Sequence, residues 1–76
     1  MRAVIVLRAT KGSSKAVADD VERTDGIVFA YETFGRFDVA ANAEVRDAVS
    51  LRTLVGRLKR IKGVTGAESL LQAEVA

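Results

Sequence analysis

Ile27–Glu44, IVFAYETFGRFDVAANAE, is the stretch that decides how this chain folds. Its first part, Ile27–Phe34, is rich in aromatic and β-branched side chains, which suit the half-buried surface of a pleated strand. Gly35-Arg36 interrupts it as a tight turn, with Gly35 supplying a positive φ. From Phe37 to Glu44 the polarity alternates. Phe37, Val39, Ala41 and Ala43 share one face; Asp38, Asn42 and Glu44 share the other with Ala40. That period of two predicts a second strand, half-buried, and the pair forms a hairpin across Gly35.

Outward from the hairpin, each flank reads as one strand and one helix. On the N-terminal side, Ala3–Ala9 (AVIVLRA) predicts a strand closed by the turn residues Lys11-Gly12-Ser13-Ser14. Ser13 or Ser14 is placed to cap a helix over Lys15–Arg23. Val17 and Val21 lie on one face of that helix, and Lys15, Asp19 and Arg23 form a charge ladder on another. On the C-terminal side, a longer helix is expected from Asp47 to about Lys62. Its apolar stripe is Leu51, Leu54, Val55, Leu58 and Ile61, its last turns are basic, and Gly63 is the expected C-cap. Ala67–Val75 completes the set as a strand.

The order βαββαβ predicts an α+β fold of ferredoxin-like architecture, a four-stranded antiparallel sheet with both helices on one face. The other face then needs cover. Strand one is apolar on both parities, Val4 and Val6 against Ile5 and Leu7. Strand two repeats this, with Ile27, Phe29 and Tyr31 against Val28, Ala30 and Phe34. A strand apolar on both sides expects partners on both sides, and an uncovered face would be a large apolar patch. A symmetric dimer packing sheet on sheet supplies the cover, in the manner of a dimeric α+β barrel.

The bulk composition agrees with self-association and excludes much else. Seventy-six residues make room for a single domain, residues 1–76, and a domain this small buries only about 60% of its unfolded surface. Neither cysteine nor histidine is present, so disulfides, thiolate metal sites and ordinary zinc sites are excluded, and neither a metal nor another cofactor is expected. The same absence removes the usual general base and nucleophile of an enzyme, and Lys11-Gly12-Ser13 lacks the spaced glycines of a phosphate loop. The apolar run Ala3–Leu7 is too short to span a membrane. A net charge of +2, with both signs interspersed, makes no demand for nucleic acid. RNA-recognition domains share this element order, but they stack bases on aromatics of strand one, and AVIVLRA has none. A cytoplasmic location is the expectation that follows, and Met1 just ahead of strand one suggests a complete product.

The whole chain resembles the ligand-binding and assembly (RAM) domain of the Lrp/AsnC transcriptional regulators. Ala30-Tyr31 followed by Gly35-Arg36-Phe37-Asp38 is similar to the family's Ala-Tyr and Gly-x-aromatic-Asp pattern. Gly63-Val64 matches the Leu-Pro-Gly-Val step, with Lys62 in place of the proline. Ala67 and Ser69 partly match a Thr-x-Thr strand. The resemblance implies a stand-alone domain without the family's helix-turn-helix, and hence no direct DNA binding. It also implies dimers that gather into octamers or decamers, a small amino-acid effector bound between dimers, and joint assembly with full-length Lrp/AsnC regulators that modulates transcription indirectly. A structural oligomerisation module without ligand, and a small barrel enzyme, are the alternatives.

Six residues are candidates for the ligand site, each with a plainer role beside it. Asp38 could accept an effector's amino group, or pair with Arg36 or a backbone N–H. Gly35 could let a ligand approach the backbone, and serves the turn in any case. Arg36 could fork onto a carboxylate, or be solvated. Tyr31 and Phe37 could line a pocket, or belong to the core or the dimer interface. Ser69 could bond a ligand, or be an ordinary strand serine. The basic run Arg57–Lys62 complements the helix dipole.

Overall fold

The computed structural model describes residues 1–71. Within them the elements follow the expected order: β1 (Arg2–Ala9), α1 (Ser14–Glu22), β2 (Ile27–Glu32), β3 (Val39–Glu44), α2 (Ala48–Leu58) and β4 (Val64–Leu71). The part of the last expected strand at residues 72–75 lies outside the described residues. The four strands form one sheet in the order β2-β3-β1-β4, every neighbouring pair antiparallel. No helix of the described residues is long and apolar enough to cross a membrane.

Strand parity divides the sheet into two faces. Ala3, Ile5 and Leu7 of β1 and Val39, Ala41 and Ala43 of β3 turn to one side. There they meet Val17 and Val21 of α1 and Leu51, Leu54 and Leu58 of α2. These residues are buried, Ile5, Leu7 and Leu58 completely. Burying a side chain of this size fully contributes about 1.5–3 kcal/mol, so this layer holds the domain together. The alanines of β3 leave room for both helices to close on the sheet.

The expected barrel is not what the chain forms. Among the described residues the sheet is open, with β2 and β4 at its two edges and no ladder joining them. The reason is size: about eight strands are needed to close a barrel around a filled interior, and one chain contributes four here.

Several boundaries also move. The connection between β2 and β3 is not a two-residue turn at Gly35-Arg36 but the longer loop 33–38, so Phe34 and Phe37 fall outside the strands. Helix α2 stops at Leu58 and not at Lys62. Beyond it the N–H groups of Arg60, Ile61 and Val64 donate to the carbonyls of Arg57, Leu58 and Ile61, a series of tight turns. Gly63 closes this series and is not the cap itself. Its φ of +95°, and the 3.0 Å that a Cβ would leave to the Ser13 hydroxyl oxygen, admit no larger residue without strain. β4 consequently starts at Val64 and not at Ala67, because Val64 already pairs with Ala9. Ser13 is the N-cap residue of α1, but its hydroxyl turns back to the Thr10 carbonyl (2.7 Å) and makes no cap bond. In place of the Lys15–Asp19–Arg23 ladder, Arg23 pairs with Asp20. Asp47 does cap α2, accepting the Ser50 N–H at 2.8 Å.

Candidate ligand site

The hairpin loop is built around Asp38. Its N–H donates to the Leu7 carbonyl (2.9 Å), and its carbonyl accepts the Thr33 N–H (2.9 Å). Its carboxylate Oδ2 accepts the Ala9 N–H at 2.8 Å. That amide sits where the pairing of β1 with β4 shifts register between Arg8 and Ala9, so the carboxylate serves a donor at an irregular point of the ladder. The Thr33 hydroxyl donates to the Phe37 carbonyl (2.6 Å) and closes the loop from the other side. Gly35 has φ +124° with open space where a side chain would be, as the turn reading requires. Arg36 and Phe34 are exposed at the tip, Phe34 completely.

Phe37 and Arg8 meet beside this loop. The Arg8 guanidinium carbon lies 5.5 Å from the centre of the Phe37 ring, a cation–π contact. Arg8 shares the parity of Val4 and Val6, so its side chain leaves β1 on the side away from the helices. Neither Arg8 nor Thr33 is among the sequence candidates. Arg8 was detectable from its parity on β1; nothing in the sequence singled out Thr33.

The face away from the helices is largely apolar, and no described residue covers it. Across the strands the register sets Leu70, Val4, Asn42 and Phe29 in one row and Glu68, Val6, Ala40 and Tyr31 in the next. Phe29, Tyr31 and Leu70 are 46%, 49% and 57% exposed. The Phe29 and Tyr31 rings stack at 5.9 Å. A hollow of about 380 Å³ adjoins them, lined by Val28, Phe29, Asn42 and Glu44 among others. One expectation fails here. Ile27 does not share a face with Phe29 and Tyr31, because a bulge at Val28 shifts the register. Ile27 therefore packs against the core while both aromatics turn outward.

Ser69 stands apart from the other candidates. It pairs with Ile5, which points to the helices. It lines a groove of about 480 Å³ between β4 and α2 with Leu51, Arg52, Val55 and Lys59. Within one chain the candidates thus fall in three places: the loop (Gly35, Arg36, Phe37, Asp38), the open face (Tyr31) and the α2 groove (Ser69). Arg52 is not among the sequence candidates, and Lys59 enters there only within the basic run Arg57–Lys62, although their spacing of seven puts them on one side of a helix.

The family model for the Lrp/AsnC ligand binding domain matches residues 2–74, all six elements of the sheet and helices included. The chain belongs to the Lrp/AsnC ligand-binding domain family. As such it is a ligand-binding domain and not an enzyme. Among curated proteins, none matches the sequence. Solved structures do. TTHA0845 from Thermus thermophilus is 20% identical with a TM-score of 0.89, over 99% of this chain and 95% of that one. E. coli AsnC is 19% identical with a TM-score of 0.81, over 99% of this chain and 53% of that one. The transcriptional regulator NMB0573 from Neisseria meningitidis, solved as a complex with L-Met, is 20% identical with a TM-score of 0.80, over 99% of this chain and 51% of that one. At these identities the likeness is one of fold. The chain spans about half the length of those two regulators.

Proposed function

We propose that this domain is a self-associating sensor of a small amino acid, acting by binding alone. The observation that carries the reading is the open face. Val4, Val6, Phe29, Tyr31 and Leu70 form a contiguous apolar surface on a domain too small to spare it. Two copies packed through these faces bury both patches, and a twofold axis makes the contact self-complementary. Tyr31 then belongs to the contact between copies.

The ligand end of the reading rests on the loop. Asp38 uses Oδ2 on Ala9, and its other oxygen has no protein partner among the described residues. It can accept an ammonium group, while exposed Arg36 offers a fork for a carboxylate. Phe37 adds an apolar wall beside Arg8. Ser69 lies away from this loop in the isolated chain, so its participation requires a neighbouring copy. Higher assembly into octamers or decamers, and mixed assembly with full-length regulators, extend the same reading. An effector bound between copies shifts such an assembly only by its differential affinity for the two states.

Two observations favour a second reading: Asp38 already has a structural duty, and Ala67 lacks the hydroxyl of the threonine that the family pattern has at that place. On that reading the domain is an assembly module without ligand. Thermal unfolding against each of the twenty amino acids separates the two. A sensor is stabilised by one or a few of them, by about 2.7 kcal/mol at a hundredfold excess over Kd, and Arg36→Ala removes the effect. Indifference to the whole panel supports the module.

A further inference from the structure

The two edges of the sheet are finished differently. At the β2 edge, the bulge at Val28 breaks the ladder. The outward N–H of Ala30 there is taken by Glu22 Oε2 of α1 at 3.0 Å. Both are devices that keep a sheet edge from pairing further. The β4 edge has a bulge of its own at Thr65, between the Ala9–Val64 and Arg8–Gly66 pairs, but among the described residues no side chain takes an N–H of the strand beyond it. From Val64 to Ser69 it carries no proline, and its one charged residue, Glu68, pairs with Val6 and so turns to the open face, not along the edge. Every second residue of such an edge strand presents its N–H and C=O outward.

A groove follows this bare edge. The hollow lined by Arg52, Val55, Lys59 and Ser69 and a second one of about 300 Å³ lined by Lys59, Thr65 and Gly66 meet at Lys59. Together they follow β4 from Val64 to Ser69, roughly 17 Å at strand rise. Among the described residues the charged ones in these hollows are Arg52, which lines the larger, and Lys59, which lines both, about 10 Å apart along the helix. No acid among the described residues lines either hollow.

We propose that the β4 edge receives an extended acidic peptide segment as a fifth strand. Backbone bonds to β4 hold it, and its carboxylates on the helix side meet Arg52 and Lys59. Alternate residues of the added strand face the other way, beside Leu70 and Gly66, and there an apolar side chain extends the open face. The partner is thus a strand alternating acidic and apolar residues. This inference uses neither the loop nor an amino-acid effector, so it stands or falls separately from the sensor reading.

The test is fluorescence anisotropy of a labelled octapeptide alternating Val and Glu, titrated with the full chain at low salt. Binding is expected, and it weakens as salt rises. The double charge reversal Arg52→Glu/Lys59→Glu, at exposed positions that leave the core intact, weakens it at least about tenfold, equivalent to 1.4 kcal/mol. A Val/Lys octapeptide binds the wild type less well and the reversed variant better. A Val/Glu peptide N-methylated at alternate residues on its pairing side loses binding. Failure of the Val/Glu peptide to bind overturns the proposal. So does equal binding of the Val/Lys or N-methylated peptide by the wild type. Affinity that falls as protein concentration rises assigns the edge to a second copy and also overturns it.

Discussion

Leu7 and Val6 are neighbours on β1 and differ in everything around them. Leu7 is fully buried under the two helices, while Val6 lies half-exposed on the opposite face between Ala40 and Glu68. The same contrast separates Ile5 from Val4, and Ala41 from the neighbouring Phe29–Tyr31 pair. One face of the sheet is a finished core and the other is chemically similar but unfinished. A domain of this size can complete one layer from its own helices; the second layer has to come from another molecule.

The largest expected effect is on the finished face. Leu7→Ala leaves a cavity beneath both helices and should lower stability by ~2–5 kcal/mol, read as a fall in the denaturation midpoint that is the same at every protein concentration. Val6→Ala should behave differently. Its loss should grow with protein concentration, because the contact it weakens is made only on association. Equal, concentration-independent losses for the two would erase the distinction between the faces.

Next in size is the staple between loop and sheet. Asp38→Ala leaves the half-buried Ala9 N–H without its acceptor, at ~1–3 kcal/mol. Asp38→Asn retains an acceptor and should recover most of that loss. If Asp38→Ala costs nothing, the carboxylate has no structural duty, and its use must be sought in a ligand.

The smallest effect concerns α2, which covers the finished face. Bonds from the Ser50 backbone N–H and hydroxyl hold the Asp47 carboxyl below the ordinary aspartate range. A lowered folded-state value means that the contribution is complete above the ordinary value and lost as pH falls through the lowered one. The melting temperature should therefore drop modestly below about pH 4. Asp47→Ala should flatten that part of the profile while leaving the neutral-pH assembly unchanged.

Much of the finished face was legible in the sequence because it is written locally. Valine-rich runs, glycine punctuation and the stripe Leu51–Leu54–Leu58 each specify an element and its inward side. What the sequence hid depends on register and on tight turns. The bulge at Val28 reverses the parity of β2 after Ile27, and no residue there announces it. The turns after Leu58 continue the apolar spacing to Ile61 without continuing the helix. Asp38 was legible as a site residue from its motif, and its backbone partner was among the readings open from sequence; that the partner is Ala9 required the pairing of β1 with β3. Ser69 and the loop could not be seen to part company until the faces of β4 were fixed. The barrel was inferred for a pair of copies, and closure is not a property that one four-stranded sheet carries.

The central claim is that the open face is where copies of this chain meet. Light scattering on the wild type and on Val6→Glu, with circular dichroism on both, tests it most directly. The account predicts a wild-type mass that is a multiple of the single chain and a folded single chain for Val6→Glu. A wild type that stays monomeric at high concentration, or a Val6→Glu variant that is folded and of unchanged assembly mass, would contradict it.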